Sequence, residues 1–267
     1  MNKLVQVNEV KDELKKRHYD ISEKPYIQNG VILSTVAINK KEWNTIAEIN
    51  IYGLISVNPS KTAAEIADMV ESIISTHERI EKSIDKTFII KNIHTAFQRI
   101  PEISKDSVLS RPTKFDGIEE YLCIYSRLGT RQEVMLKIDQ KLLDKYDITE
   151  DEAWSQARHN NRLDATVIPT DDIIGENKIP VAVYIITNKI QRYGASAVID
   201  KTLLRQLLGA EGDKRWLVAL PSVHKAILIP EQDAKNTELT NRILKMFNNG
   251  NIEQIDRLTD KTYMAVI

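Results

Sequence analysis

Ser222 and His224 are the two residues whose types and spacing most suggest chemistry. They stand two positions apart in the segment LPSVH, and on a β-strand that spacing places both side chains on one face. With Asn188 and Tyr193 they could line a ligand-binding pocket at the ends of a C-terminal sheet, as in a hydrolase or a small-ligand-binding protein. A nucleophilic serine, however, usually occupies a sharp Gly-x-Ser-x-Gly turn and needs a base held by a third group, and the sequence shows neither. The alternative is a serine in a turn and a histidine bonded within the sheet, so we assign no catalytic residue.

The other reactive side chains lack the partners that chemistry requires. His77 falls on the apolar stripe of a predicted helix and is expected to be a core or boundary histidine, whereas His18, His94 and His159 stand alone. No His-x-x-x-His, His-Glu-x-x-His or Asp-x-Asp-x-Asp pattern occurs, and the glycines form neither a phosphate loop nor a Gly-x-Gly-x-x-Gly turn. We therefore expect no metal and no cofactor. Cys123 lies between two apolar residues and is expected to pack as a small apolar side chain.

The charge balance excludes several classes of protein. The chain has 267 residues, with 37 Lys and Arg against 38 Asp and Glu and a net charge of −1. A nucleic-acid binder needs clustered basic residues, so we do not expect nucleic acid as a partner.

No apolar run approaches the roughly 18–20 residues of a membrane span, which argues against a membrane protein. A single cysteine favours a reducing compartment, and we expect a cytoplasmic location.

The pattern of apolar residues predicts an α+β fold, in which antiparallel sheets have helices packed on one face. In the first part of the chain, Ser60 is expected to cap a long helix whose apolar residues recur at spacings of three and four. Residues 88–99 fit either period and are expected to be helical. The other elements predicted here are helix 5–17, strands 31–38 and 48–57 around a polar turn at 39–42, a hairpin of strands 120–127 and 133–138, helix 140–145, and a helix from a Thr149–Glu152 capping box to about residue 160.

The last third predicts a second unit with the element order ββαββα. Its elements are strands 181–187 and 195–199, helix 201–208 ended by Gly209, strands 216–220 and 225–229, and helix 236–247. The polar stretch 170–178 is the best candidate for a boundary, so we expect two sub-domains, residues 1–170 and 179–267. The pattern Ile-Asp-x-x-Leu-Leu follows a predicted hairpin at both 138–143 and 199–204. Duplication and a shared local solution, in which the aspartate caps the helix, both remain open.

Several segments resemble an uncharacterised bacterial family. They are YIITN (184–188), YGA (193–195), LPSVH (220–224), ILIP (227–230) and LTDKTY (258–263), with weaker likeness at 29–31 and 111–115. The family resembled is a domain of unknown function of anaerobic gut bacteria, often carried on mobile elements, and the resemblance implies no activity. Similar proteins tend to have an acid after the histidine, where this chain has Lys225, so an acid–histidine pair at adjacent positions does not carry over.

Two functions follow as hypotheses. The missing catalytic constellation, the balanced charge and the mobile-element association favour a non-enzymatic protein-interaction module, for example an inhibitor of a host defence or regulatory protein. Its protein partner would bind an exposed apolar patch with aromatic anchors such as Trp43, Trp154 or Trp216. The alternative is a hydrolase or small-ligand-binding protein. For that alternative, the side chains named above should converge on one cavity, with an orienting partner for His224.

Overall fold

The fold consists of three antiparallel sheets with helices packed against them, which confirms the α+β class. A computed structural model describes residues 3–29, 31–38, 40, 43, 47–100, 108–128, 132–169, 182–209, 214–235, 237–249 and 252–267. The predicted polar turn at 39–42 and the tip of the central hairpin at 129–131 lie largely or wholly outside these residues.

The first sheet has the strand order β1-β2-β3 and packs against three helices. Its core contains the apolar stripe of the long helix, including Ile66, Val70 and Ile74, which are buried as the spacing predicts. The elements of this layer are α1 (Lys3–Lys16), β1 (Ile21–Gln28), β2 (Val31–Ile38), β3 (Ala47–Ile49), α2 (Ile51–Val57) and α3 (Ala63–Ser83).

The second sheet is built around a long central strand, β6, which pairs with β4 along one edge and with β5 and β7 along the other. Three helices cover it through a core that includes Ile89, Leu122 and Trp154. The elements are α4 (Lys86–Asn92), β4 (Ile93–Arg99), β5 (Ser110–Pro112), β6 (Ile118–Leu128), β7 (Gln132–Lys137), α5 (Gln140–Lys145) and α6 (Glu150–Asp164). The predicted hairpin and helix 140–145 are confirmed.

The third sheet has the order β12-β10-β11-β9-β8. Alternate residues of β10 face opposite sides: Val218 packs towards α7 and the 3-10 helix before it, and Ala219 packs towards α9. The sequence predicts helices on one face of the sheet only, but α9 also covers the second face. The elements are β8 (Ala165–Pro169), β9 (Tyr184–Asn188), a 3-10 helix (Gly194–Ile199), α7 (Lys201–Leu208), β10 (Arg215–Ser222), β11 (Lys225–Pro230), α8 (Glu231–Ala234), α9 (Thr237–Asn249), a 3-10 turn (Gln254–Asp256) and β12 (Thr262–Val266).

The predicted boundary at 170–178 lies outside the described residues, between two strands that pair with each other. Residues 165–169 of β8 pair with β9, so this strand belongs to the same sheet as the C-terminal strands. The division into residues 1–170 and 179–267 stays a prediction.

Two predictions in the first part of the chain are wrong because polar side chains start helices there. The predicted strand 48–57 is only β3 followed by α2, since Asn50 Oδ1 accepts the backbone N–H of Gly53 at 2.8 Å. One helical turn then buries Ile51 and Ile55 completely, a spacing of four. The long helix α3 is capped by Thr62 in a capping box with Glu65, and not by Ser60.

Two further predictions fail at short apolar runs, whose period fits either structure. Residues 88–99 are the end of α4 followed by β4, and Asn160 marks the change because its Nδ2 donates to the carbonyls of Ile90 and Ile93 at 3.0 and 2.7 Å. The predicted strand 195–199 is a 3-10 helix, whose residues 194–198 are all buried between the second and third sheets.

Candidate functional site

The turn between β10 and β11 carries Ser222 and His224 and is fixed by its surroundings. Ser222 Oγ accepts the backbone N–H of His224 at 3.3 Å, and Thr187 Oγ1 donates to the His224 carbonyl at 2.8 Å. The backbone N–H of Val223 donates to the carbonyl of Asp256 at 2.9 Å. One bond within the turn and bonds from two other segments, β9 and the 3-10 turn 254–256, therefore hold this turn in one conformation.

The imidazole of His224 is engaged at both ring nitrogens. Nδ1 accepts the backbone N–H of Tyr193 at 3.1 Å, which places the proton of the neutral ring on Nε2. Nε2 lies 3.1 Å from Asp256 Oδ2, but the carboxylate lies off the N–H direction, so the contact is electrostatic rather than a directed hydrogen bond. The Tyr193 ring packs edge-on against the imidazole, with 5.1 Å between centroids. In this arrangement neither nitrogen serves Ser222 as a base.

The turn that presents Tyr193 is built by Asn188. Asn188 Oδ1 accepts the backbone N–H of Arg192 at 3.0 Å, and its Nδ2 donates to the Arg192 carbonyl. Gln191 and Tyr193 have φ angles of 56° and 55°, in the left-handed region that side chains rarely adopt. A Cβ on Gly194 would lie 2.4 Å from the backbone nitrogen of Asn188, so this close approach requires glycine.

The four predicted ligand-binding residues are brought together, but they line two cavities. Asn188 and Tyr193 line a small cavity of about 30 Å³, whereas Ser222 and His224 line an open cleft of about 460 Å³. Arg192 borders both. The small cavity is large enough for little more than a water molecule. Of the two, only the cleft has the volume of a binding site, because sites for small molecules measure about 300–1,000 Å³.

The cleft has a mixed lining of apolar and charged residues. We call it the C-terminal cleft. Its apolar residues include Met246 and Phe247 at the end of α9 and Ile252, and Met246 is 44% exposed. The charged and polar lining comprises Gln191, Arg192, Ser222, His224, Lys225, Glu253 and Asp256. Sequence reasoning missed Asp256, because no local pattern links it to a histidine 32 positions earlier in the chain.

Two other histidines and the cysteine occupy structural positions. His77 is buried on α3, with its Nε2 3.5 Å from Glu81 Oε1 and its ring 4.6 Å from that of Trp43, as expected for a core or boundary histidine. His94 Nδ1 lies 2.8 Å from the carbonyl of Asn92. Cys123 is fully buried, and burial raises the pKa of its thiol to about 12. The expectation that Cys123 packs as an apolar side chain is confirmed.

The aromatic anchors expected of a protein-binding surface are largely in the core. Trp154 and Trp216 are both buried, so the expectation is wrong for these two residues. Trp154 belongs to the core between α6 and the second sheet, and Trp216 to that between the third sheet and α7, because each helix must cover a sheet face with large side chains. Trp43 is half-buried, with the Lys40 ammonium 5.4 Å from the centre of its ring.

Among the described residues, no three His, Cys, Asp or Glu side chains come together in a way that could hold a metal ion. A search of the same residues for a helix long and apolar enough to cross a membrane found none.

Comparison with known proteins gives one match. Neither the curated proteins nor the solved structures include a significant relative. A family model described as a family of unknown function, DUF5688, matches residues 119–264. This range includes every C-terminal segment on which the resemblance rests, whereas the weaker likenesses at 29–31 and 111–115 fall outside it. Because the model matches more than half of the chain, the protein belongs to this family of unknown function.

Proposed function

We propose that the chain is a non-enzymatic interaction module that binds a segment of a partner protein in the C-terminal cleft. The observation that carries the proposal is the mixed lining of the cleft, which combines the half-exposed Met246 and the neighbouring Phe247 with side chains of both charges. Apolar residues accompanied by polar and charged ones are the usual composition of a protein-binding surface. The segment that fits has an apolar side chain flanked by charged residues.

The contacts of His224 favour a structural role over a hydrolytic one. Its Nδ1 holds the Tyr193 turn, and its Nε2 faces Asp256. A serine hydrolase needs a ring nitrogen that accepts the serine proton, whereas Nδ1 of His224 already accepts the Tyr193 N–H and Nε2 carries the proton of the neutral ring. The hydrolase alternative would require the ring to leave both of its present partners.

Binding of a small ligand in the same cleft is the second candidate. The volume of about 460 Å³ supports it, since this is the size range of small-molecule sites. Such a ligand would lie between Phe247 and the Ser222–His224 turn.

The class of partner rests on the resemblance. The resemblance implies a family of gut anaerobes that is often carried on mobile elements, and on that basis we propose a cytoplasmic partner, a host defence or regulatory protein that the chain inhibits. Genes of a defence system next to this one would support that part of the proposal.

A matched pair of surface variants tests the proposal. Met246→Glu places a charge among the apolar residues that line the cleft, and Leu163→Glu makes the same change at a 60% exposed position on α6 that lines none of the cavities described above. We expect the wild-type chain and Leu163→Glu to capture the same protein from host cells in quantitative affinity capture. The amount of this protein that Met246→Glu captures should be at least about tenfold lower. Equal capture by all three proteins would contradict the proposal. Native mass spectrometry of the purified chain would reveal a bound small molecule and favour the second candidate.

A further inference from the structure

A second, polar cavity lies where the second and third sheets meet. It measures about 170 Å³ and is lined by residues of β4, β6, α6, the 3-10 helix and the start of α7. We call it the inter-sheet cavity. Asn161 Nδ2 donates to Thr95 Oγ1 at 2.8 Å and to Ser196 Oγ at 3.2 Å, and Ser196 Oγ donates to the Thr95 carbonyl at 2.7 Å. These bonds fix polar groups of three elements around one space, independently of any ligand.

Two carboxylates in the wall of this cavity, one buried and one partly buried, hold arginine side chains in place. Glu120, whose side chain is only 4% exposed, lies 3.2 Å from Arg111 Nε and 3.6 Å from Arg158 Nη2. Asp200 accepts a hydrogen bond from Arg162 and also caps the first turn of α7. A buried carboxylate requires such partners, and each arginine is in turn oriented by its carboxylate.

Positive charge exceeds negative charge around the inter-sheet cavity. Arg158, Arg162 and Lys201 line it against the two carboxylates. The side chains of Arg158 and Arg162 are 46% and 52% exposed, and a guanidinium has five N–H donors, so each keeps donors for another acceptor. Among the described residues Lys201 has no carboxylate partner. Neighbouring Lys114 has none either, and partial desolvation together with Lys201 lowers its pKa.

The size of the cavity restricts what it can hold. A volume of 170 Å³ is well above the roughly 10–15 Å³ needed for one water molecule and below the roughly 300 Å³ of the smallest drug-sized sites. A single tetrahedral oxyanion fits this range. The three cations and two carboxylates of the lining leave an excess of one positive charge, with Lys114 close to Lys201, so a phosphoryl group, which carries about −1.5 to −2 charges at neutral pH, is complementary in sign.

We propose that the inter-sheet cavity binds a phosphoryl group, either inorganic phosphate or the phosphate of a small monoester, through Arg158, Arg162 and Lys201. Ser196 and Asn161 form a neutral wall beside the anion, because their donor hydrogens are already used in bonds to Thr95 and to each other, so the donors to the anion are those of the three cations. This site is separate from the C-terminal cleft and does not depend on the function proposed for it.

Calorimetry on the full chain tests the site with two ligands, inorganic phosphate and O-phosphoserine, at constant ionic strength set with sodium chloride. Lys201→Gln removes a cation that pairs with no carboxylate in the part of the chain that the structure describes. Lys141→Gln is the matched control, since Lys141 is an exposed lysine in the first turn of α5, behind the capping residue Asp139.

We expect saturable binding to the wild-type chain and to Lys141→Gln, and binding at least about fivefold weaker to Lys201→Gln. Binding of phosphate would identify the free anion as a ligand, and binding of phosphoserine alone would indicate an esterified one. The proposal is overturned if neither ligand binds below about 10 mM, a concentration far above typical ligand affinities. It is also overturned if the two lysine variants bind equally.

Discussion

Removal of the His224 ring should destabilise the fold by about 2–4 kcal/mol if the ring is a structural link. His224→Ala removes the acceptor of the Tyr193 N–H, a hydrogen bond worth about 0.5–1.5 kcal/mol, and leaves that donor unpaired at a cost of about 1–3 kcal/mol. It also removes the edge-on contact with the Tyr193 ring, worth about 0.5–1.5 kcal/mol. These contributions overlap, because all three act on Tyr193, so the expected total lies below their sum.

His224→Asn is the matched control for that substitution. The amide oxygen of asparagine lies near the position of ring Nδ1 and can still accept the Tyr193 N–H, so only the ring contacts are lost. We expect a loss of about 1–2 kcal/mol, roughly half of that for alanine. For a chain of this size 1 kcal/mol corresponds to about 2–4 °C in melting temperature, so thermal unfolding separates the two variants.

Equal destabilisation by alanine and asparagine, or a loss below about 0.5 kcal/mol for both, would refute the reasoning. Such a result would mean that the Tyr193–His224 bond contributes nothing to the fold. The ring would then be free for another role, which would favour the ligand-binding or hydrolase alternatives.

Three further predictions concern a helix cap, the cysteine and a partly buried carboxylate. Thr62→Ala should lower the free energy of unfolding by about 0.5–2 kcal/mol in urea titrations, whereas Ser60→Ala should change it by less than about 0.5 kcal/mol; the reverse order would contradict the assigned cap. Cys123, with a pKa of about 12, should not react with a thiol reagent at pH 8 until the chain is unfolded, and rapid reaction of the native protein would contradict its burial. At Asp200, burial raises the pKa, but Arg162 and the amides of α7 outweigh it, so the pKa is lowered. This carboxylate therefore stabilises the fold above its unfolded pKa of about 3.9, and the stabilisation is lost as the pH falls through the lower folded pKa. The difference in free energy of unfolding between wild type and Asp200→Asn should accordingly shrink as the pH is lowered. A difference that does not depend on pH would contradict this role of the Asp200 carboxylate.

Elements with strong local signals could be predicted from the sequence. Helices α5 and α7 have the predicted bounds because an aspartate at 139 and at 200 caps each of them and apolar residues follow at the correct spacing. The shared pattern Ile-Asp-x-x-Leu-Leu thus corresponds to the same capped helix in both places. In α7, Gly209 also ends the helix in the left-handed conformation, as predicted.

Elements decided by distant contacts could not be predicted in the same way. The end of α4 depends on Asn160, about 70 positions later, whose amide bonds the carbonyls at the transition to β4. The apolar run 195–199 is enclosed on every side, and full enclosure removes the alternation that distinguishes a strand. In both cases the deciding interaction joins segments that are far apart in the chain.

The same limit applies to the candidate site, and it changes the meaning of Lys225. An acid directly after the histidine is the feature expected from the resembled family, and Lys225 stands in its place. The structure nevertheless brings a carboxylate to His224, that of Asp256, which reaches the ring from the 3-10 turn before β12. An acid–histidine contact is therefore present in this chain without adjacency in sequence. Nδ1 of the same ring accepts the Tyr193 N–H, so the ring is held by that bond while the carboxylate lies beside it, and this favours a cleft wall fixed for binding over a histidine poised for proton transfer.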